Sequence, residues 1–295
     1  MAIGLRRVRV SARALVVGAK GLLGSALLAA GAGRPGWQVL GADRDELDIT
    51  DRASLEAVIL GYAPQVIFNA AGYTQVDRAE AEPLAAYEAN SVGPGVLAAV
   101  AAECGARLIH VSTDHIFGGP GRTPWQPDDE PAPVSVYGWS KLLGERNARA
   151  VAPNTYVVRT AGLFGPGGRN FVDAILGAAR RGQPLRVVDD QYCQRTYSPD
   201  LAAALWALAD ARPAARIWHF TNEGGVSWHA FAVAVLEAAE LDVNCEPVSS
   251  AAWGAPAARP AWSVLALSAW PALGLPAPRP ALDAVAEHLR MKVRS

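Results

Sequence analysis

Short β-branched runs alternate with longer alanine-rich stretches through the first half of the chain. The pattern predicts strands that are apolar on both faces, at residues 14–18, 38–43, 65–69, 107–112 and 155–159. It predicts helices between them, at residues 22–30, 51–62, 82–103 and 137–151, with Thr50 capping the second. Strands buried on both faces and separated by helices indicate a parallel sheet covered on both sides. The predicted fold class is α/β, a doubly wound parallel sheet of the Rossmann type.

The alternation weakens after about Phe164, and residues 248–280 are rich in Pro, Ala and Trp. We therefore expect a smaller C-terminal substrate-binding lobe that closes over the carboxyl ends of the strands, where such sheets bind ligands. In this division, residues 14–165 and about 185–222 form a dinucleotide-binding domain. Residues from about 166 to 184, together with 223–295, form the lobe.

The amino-acid composition excludes several classes of protein. Of the 295 residues, 51% are hydrophobic and 19% charged, as in folded globular proteins. The balance of 27 Lys and Arg against 28 Asp and Glu argues against a nucleic-acid binder. We expect no membrane helix, since no apolar run is long enough, and we interpret the basic start as a lead into the first strand rather than a signal peptide. The scattered Cys104, Cys193 and Cys245 predict a cytoplasmic protein without a metal centre.

Three glycines follow the first strand in the sequence GAKGLLG and open the first helix. Glycine permits a tight turn and a close approach to a pyrophosphate, and the helix N-terminus offers free N–H groups. The context predicts a dinucleotide cofactor. The predicted cofactor loop comprises Gly18, Lys20, Gly21, Leu22, Leu23 and Gly24.

Charges near the second strand bear on the choice between NADH and NADPH. Asp43 stands about 20 residues after the glycines, where an acidic residue usually binds a ribose hydroxyl and favours NAD. Lys20 and Arg44 could hold the 2′-phosphate of NADP, although both are equally consistent with solvated surface charge. We expect both cofactors to be used.

Tyr137 and Lys141 are four residues apart on a predicted helix, so they share one face. A phenol, with an ordinary pKa of about 10, exchanges its proton near neutral pH only beside a positive charge. Thr113, after the fourth strand, offers a hydroxyl to a carbonyl oxygen. The three residues predict hydride transfer to a carbonyl with Tyr137 as proton donor. Chance could produce the same spacing, but the glycine loop upstream favours the catalytic interpretation.

Several stretches together resemble the dTDP-4-dehydrorhamnose reductase family of extended short-chain dehydrogenases/reductases. They are GAKGLLG, LDIT, NAAG, AGYTQVDRAEAEP, STDHIF, YGWSK, VVRTAGLFG, RNF, VVDDQ and ARPAWSVL, which extend over nearly the whole chain. The Tyr-Lys pair marks the superfamily, whereas the later stretches mark this family.

The resemblance implies roles for matching positions. By this resemblance, the three glycines contact the pyrophosphate of the cofactor, and Asp48 and Ile49 lie beside its adenine. Ala70 and Ala71 line the cofactor groove, and Tyr137 and Lys141 contact the nicotinamide ribose. The implied catalytic set is Thr113, Tyr137 and Lys141. Implied substrate contacts are Thr74 and Val76 at the sugar, and Asn170, Phe171, Gln191 and Arg259 at the nucleotide diphosphate.

The chain departs from the family pattern mainly around the sugar. His115 stands where the family usually has Tyr, and Gly162 where it has Trp; both positions are implied to border the hexose. Cys193 and Arg195 replace a Gly and a Pro. Ala26 replaces an acidic residue that some members use for magnesium at a dimer interface, so we expect no metal, and a homodimer remains open.

The expected activity is hydride transfer from NADH or NADPH to the C4 keto group of a dTDP-4-keto-6-deoxy sugar. The simplest case converts dTDP-4-dehydrorhamnose to dTDP-L-rhamnose. Alternatives are a 4-ketoreductase for an unusual deoxysugar, or a catalytically silent NADP-binding regulator. The dehydratase or epimerase branch is disfavoured because His115 follows Asp114, where the dehydratases carry an Asp-Glu pair.

Overall fold

The computed structural model describes residues 12–119, 121–268, 270–273 and 277–294. The basic lead expected from the sequence falls mostly in residues 1–11 and therefore lies outside the described residues. Strands are β1 Ala12–Val17, β2 Trp37–Ala42, β3 Val66–Asn69, β4 Arg107–Thr113, β5 Tyr156–Thr160, β6 Leu163–Phe164, β7 Leu185–Val188, β8 Tyr192–Cys193, β9 Thr196–Tyr197, β10 Ile217–His219, β11 Val226–Ser227 and β12 Cys245–Val248. Helices are α1 Leu22–Gly31, α2 Arg52–Tyr62, α3 Val76–Ala81, α4 Pro83–Tyr87, α5 Gly93–Glu103, α6 Val136–Val151, α7 Phe171–Arg180, α8 Ser198–Ala211, α9 Trp228–Ala238, α10 Ser250–Trp253 and α11 Ala281–Arg294.

A six-stranded sheet with the order β10-β5-β4-β3-β1-β2 forms the centre of the molecule. Every neighbouring pair in it is parallel. All five strands expected from the sequence belong to this sheet, within two residues at each end. The predicted fold class is therefore confirmed, with β10 as a sixth strand that the pattern did not reveal.

Helices cover both faces of the sheet, which explains why its central strands carry buried apolar residues on both faces. Ala14 and Val16 of β1 face a core formed with α1 and α8. Leu15 and Val17, which alternate with them, face a second core formed with α2 and α5. Successive side chains of a strand point to opposite faces, so both sets are buried.

Two details of the predicted helices are wrong. Asp51, not Thr50, caps α2, because its carboxylate accepts a hydrogen bond from Ala53 N at 3.0 Å while the Thr50 hydroxyl donates to Asp48. The single helix expected at 82–103 is instead α4, a π-helical turn Glu88–Val92 and α5. Pro94 has no N–H to donate to the Asn90 carbonyl, so the regular ladder is interrupted there.

The C-terminal part packs α7, α9 and α11 around a separate apolar cluster that includes Phe164 and Phe231. Beside it, β7 pairs in parallel with β12. The domain boundaries remain a prediction, but this pairing favours assigning residues 185–188 to the C-terminal lobe rather than to the dinucleotide-binding domain. Among the described helices, none is both long and apolar enough to cross a membrane.

Candidate active site

The glycine loop between β1 and α1 packs against the end of β3 with no room for side chains. Gly18 has φ +80°, and a Cβ there would lie 2.7 Å from Ala71 N. A Cβ on Gly24 would lie 2.0 Å from Gly18 O. Gly21 caps the N-terminus of α1, where free N–H groups suit a phosphate. Side chains at these positions would fill the space above the loop. Because glycines leave it open, the loop fits the pyrophosphate of a dinucleotide.

Two adjoining cavities meet at this loop and share Lys20, Gly21, Ala70, Ala71 and Gly72 in their walls. The first, of about 570 Å³, is also lined by Leu22, Leu23, Thr74, Thr113, Tyr137, Lys141 and Gly162. The second, of about 610 Å³, is also lined by Gly18, Asp43, Arg44, Asp48 and Ile49. The residues expected at the reacting end of the cofactor and those expected at its adenosine end therefore line separate cavities joined at the loop.

The charges at the adenosine end already have partners. The Asp43 carboxylate accepts hydrogen bonds from the backbone N–H groups of Lys20 and Arg44, at 2.8 and 2.9 Å. Lys20 Nζ lies 3.0 Å from Asp45, and Arg44 Nε lies 3.6 Å from Asp48. Both cationic side chains are largely exposed, so they can exchange these partners for a phosphate.

Helix α6 brings Tyr137 and Lys141 to the first cavity, as their spacing predicted. Ser135 caps this helix by accepting from Gly138 N at 3.1 Å. Lys141 Nζ donates to the Val111 carbonyl at 2.7 Å, which fixes the ammonium beside the end of β4. Thr113 lies on the same strand end and lines the same cavity, and its hydroxyl donates to the Asp114 carboxylate at 3.2 Å.

Burial shifts the pKa values of both groups on α6. It raises the pKa of Tyr137 to about 12, with Asp114 adding to this and the Thr113 hydrogen bond opposing it. Burial lowers the pKa of Lys141 to about 8, against the opposing charge of Glu145. Both groups therefore hold their protons at neutral pH, and both line the first cavity, where the phenol can act as a proton donor.

The structure also reveals supporting residues that the sequence reasoning missed. The Asn90 amide accepts from Tyr73 N at 2.8 Å and donates to Ser140 Oγ at 3.0 Å, which ties the end of β3 to α6. Asp114 accepts from Thr113 Oγ1 and from Ser263 Oγ, the latter at 2.6 Å. The Gly93–Pro94 pair could have indicated the interruption of the helix near Asn90. Nothing in the sequence indicates the hydrogen bond between Asp114 and Ser263.

Glu145 and Arg159 form a second support, a buried ion pair at 2.9 Å. Glu145 is four residues beyond Lys141 on α6, so helical spacing could have placed it on the same face.

Of the eight expected substrate residues, only Thr74 and Gly162 line a cavity, and four of the other six are bound to other parts of the protein. The Asn170 side chain caps α7, accepting from Asp173 N at 3.0 Å, and Phe171 packs edge-on against Trp228. Gln191 Nε2 donates to Ser250 Oγ at 2.8 Å. Arg259 makes a bidentate ion pair with Asp77, both contacts at 2.8 Å. Their roles toward a nucleotide diphosphate remain predictions.

Val76 and His115 lie near the Tyr137 ring. Val76 opens α3 and packs in the apolar cluster of Tyr137. The His115 ring meets the Tyr137 ring edge-on, with centroids 5.4 Å apart. Burial lowers the pKa of His115, with the Asp114 charge opposing this shift, so the imidazole is neutral at neutral pH.

Ala26, at the position where some family members have an acidic residue, is buried against the sheet in the core of α1. Within the described residues, no group of three or more His, Cys, Asp or Glu could hold a metal ion.

Comparisons with known proteins identify the family to which the chain belongs. The family model described as RmlD substrate binding domain matches residues 12–292. The dTDP-4-dehydrorhamnose reductase of Mycobacterium tuberculosis is 44% identical over 271 residues, covering 90% of this chain and 88% of the relative. The chain belongs to the dTDP-4-dehydrorhamnose reductase family. Another family member, from Streptomyces griseus, is 41% identical over 269 residues, covering 89% of this chain and 88% of its own.

Solved structures of the dTDP-4-dehydrorhamnose reductase family share the fold. The crystal structure of the Bacillus anthracis enzyme in complex with NADP superimposes with a TM-score of 0.91 at 30% identity, covering 95% of this chain and 99% of that one. Membership is thus supported by both sequence and structure over nearly the full chain.

Proposed function

We propose that this protein reduces the C4 keto group of a dTDP-4-keto-6-deoxy sugar with NADH or NADPH, and that dTDP-4-dehydrorhamnose is its substrate. The observation that carries the proposal is the grouping of Thr113, Tyr137 and Lys141 on one wall of a cavity that adjoins the glycine loop. The names of the relatives supply the substrate class.

The bound reduced dinucleotide would supply the hydride. Gly18, Gly21 and Gly24 would hold its pyrophosphate, while Lys20 and Arg44 would face the 2′-phosphate when NADPH is used. Tyr137 would donate its phenolic proton to the C4 oxygen, and the Thr113 hydroxyl would hold that oxygen in place. Lys141 would stabilise the phenolate left after proton transfer, since an adjacent ammonium favours the anion.

The surroundings of the site support proton donation by Tyr137 alone. His115 is neutral because burial lowers its pKa, and its ring touches the edge of the Tyr137 ring rather than adding a charge there. The Asp114 carboxylate already accepts hydrogen bonds from two hydroxyl groups, those of Thr113 and Ser263. A dehydratase needs both an acid and a base near the sugar, and the position after Asp114 offers no second carboxylate.

We further propose that the enzyme is cytoplasmic and that, besides its cofactor, it binds a nucleotide-sugar substrate and neither nucleic acid nor a membrane. The near-zero formal net charge of −1 supports the absence of nucleic-acid binding. Whether the protein forms a homodimer can be decided by light scattering coupled to size-exclusion chromatography.

The proposal is tested with purified protein and a panel of dTDP-4-keto-6-deoxy sugars, measuring kcat/KM for each with NADH and with NADPH, and the C4 stereochemistry of each product. We expect reduction of dTDP-4-dehydrorhamnose to dTDP-L-rhamnose with both cofactors. A higher kcat/KM for a different sugar would favour the second candidate, a 4-ketoreductase for an unusual deoxysugar. Cofactor binding without reduction of any sugar would reject the enzyme in favour of a silent regulator.

A further inference from the structure

The loop of residues 165–170, which joins β6 to α7, packs against the first turn of α1. Gly167 has φ +93°, and a Cβ there would lie 2.9 Å from Ser25 Oγ. A Cβ on Gly168 would lie 3.3 Å from Leu22 Cγ. Glycine at both positions lets the loop approach α1 closely, next to the glycine loop that fits a pyrophosphate.

The side chain of Asn170 fixes the shape of the loop 165–170. Its Nδ2 donates to the Gly165 carbonyl at 3.1 Å and to the Gly168 carbonyl at 3.2 Å. Its Oδ1 accepts from Asp173 N at 3.0 Å and so caps α7. The loop is therefore anchored to α7 on one side and packed against α1 on the other.

The charged residues that line the first cavity are all cationic. They are Lys20, Lys141 and Arg169, and no Asp or Glu of the described part of the chain lines it. Lys20 Nζ lies 3.0 Å from Asp45, and Lys141 Nζ donates to the Val111 carbonyl. Arg169 is exposed and makes no hydrogen bond or ion pair with any residue that the structure describes. A cavity lined by one sign of charge attracts ligands of the opposite sign, and Arg169 can bind an anion without giving up a partner.

We propose that Arg169 binds the pyrophosphate of the dinucleotide cofactor. This inference rests on the cofactor of the proposed function but not on the identity of the sugar. Gly21, at the N-terminus of α1, and Arg169 line the same cavity. The glycine loop offers backbone N–H groups to the phosphates. The guanidinium adds a permanent charge and two parallel donors, a geometry that matches two phosphate oxygens.

The diphosphate of the sugar nucleotide is the other anion of this chemistry. The cofactor is favoured because the loop 165–170 packs against α1, directly beside the glycine loop. In addition, the residues expected to bind the nucleotide diphosphate line neither of the two cavities at the glycine loop. These residues are Asn170, Phe171, Gln191 and Arg259.

Arg169→Met tests the proposal because it keeps an unbranched side chain and removes the charge and every donor. We expect the dissociation constants of NADH and NADPH, measured by fluorescence titration, to rise by the same factor of about ten, as for loss of a hydrogen bond from a charged group. ADP-ribose, which keeps the pyrophosphate and lacks the nicotinamide, should lose the same factor in competition with NADPH. Arg169→Lys keeps the charge but not the two parallel donors, so it should lose less.

The pattern of losses separates the pyrophosphate from the other phosphates. A loss confined to NADPH would place Arg169 at the 2′-phosphate. A loss of affinity for dTDP, measured by calorimetry, without a loss for the dinucleotides would place it at the substrate diphosphate. Either result would overturn the proposal, which predicts an unchanged dissociation constant for dTDP.

Arg180→Met is the matched control. Arg180 stands at the other end of α7, is also exposed and lines neither cavity. It should leave the dissociation constants of NADH and NADPH unchanged. Wild-type affinities in Arg169→Met would overturn the role of Arg169 and leave the proposed function standing. If the wild-type protein bound neither NADH nor NADPH, the proposed function itself would fail, and this inference would fail with it.

Discussion

At the scale of single residues, the Tyr137 hydroxyl is the one group whose removal should abolish proton donation without disturbing the fold. Tyr137→Phe keeps the ring that packs against Ala79 and Ala86. We expect kcat to fall by about two or more orders of magnitude, the usual contribution of a general acid. The dissociation constant of NADPH, measured by fluorescence, should change little.

Tyr156→Phe is the control for this substitution, since Tyr156 is also buried but donates its hydroxyl to the Pro213 carbonyl at the far end of the sheet. It should leave kcat near the wild-type value. Near-normal reduction by Tyr137→Phe would remove Tyr137 from the proton-donor role.

From the lowered pKa of Lys141 we predict that kcat declines at alkaline pH. Burial lowers its pKa to about 8, and a lysine is charged only below its pKa. As the pH rises through about 8, the ammonium that stabilises the Tyr137 phenolate is lost, so kcat should decline while the tyrosine itself remains protonated. A pH profile of kcat from 6 to 10 measures this, and Lys141→Arg, which stays charged, should move the decline to higher pH. A profile that stays flat to pH 10 would contradict it.

The catalytic residues that we propose could be predicted from the sequence because their signal is local. Tyr137 and Lys141 are one helical turn apart, so spacing fixes their relation. The contact between Gly162 and Arg195 could not be found in this way. The two residues are thirty-three positions apart, and the pairing of β6 with β9 brings them together.

At the scale of elements, the turn from β1 to α1 depends on glycine at position 24 more than on any other feature. A Cβ there would lie 2.0 Å from Gly18 O and 2.8 Å from the Ala19 Cα, both of which are backbone atoms that cannot move aside. We expect Gly24→Ala to displace the loop, to weaken NADPH binding at least about tenfold and to destabilise the protein by about 1–3 kcal/mol, as overpacking does. Fluorescence titration and thermal unfolding measure the two effects.

Gly61→Ala is the matched control for the loop variant. Gly61 lies in α2 with no atom within 4 Å of its would-be Cβ. Alanine there should leave NADPH binding unchanged and stabilise the helix by about 0.5–1 kcal/mol. Equal NADPH affinity in both variants would show that the loop does not hold the cofactor.

The elements that the sequence predicted are those with long or strongly patterned signals. Of the five predicted strands, β1, β3, β4 and β5 carry a buried run next to a helix, whereas β2, at the edge of the sheet, has only Ala42 buried. Strand β10 was missed because it has only three residues, Ile217–His219, too few to show a pattern. The π-helical turn was missed because apolar spacing continues through residues 82–103, and only the missing N–H of Pro94 interrupts the ladder.

At the scale of the whole molecule, residues 261–266 form a strap that ties the C-terminal part to the catalytic edge of the sheet. Ser263 N and Ala261 O pair with the backbone of Tyr192, and Val264 O and Ala266 N pair with that of Trp125. In the middle of the strap, Ser263 Oγ donates to the carboxylate of Asp114, the residue that follows β4, at 2.6 Å. This hydrogen bond joins the C-terminal part to the strand end that carries Thr113.

Ser263→Ala should loosen this junction while leaving the cofactor site intact. Asp114 is buried, with 3% exposed, and would lose one of its two hydroxyl donors. Because hydrogen bonds to buried charges contribute about 1.5–3 kcal/mol, we expect a loss of unfolding free energy of that order. We also expect the KM for the sugar nucleotide to rise, since the strap and Thr113 would no longer be held together, whereas the dissociation constant of NADPH should not change. Ser249→Ala, which removes only the cap of the short helix α10, is the control. If both variants showed the same stability and the same KM, the Ser263–Asp114 hydrogen bond would have no part in joining the two halves of the site.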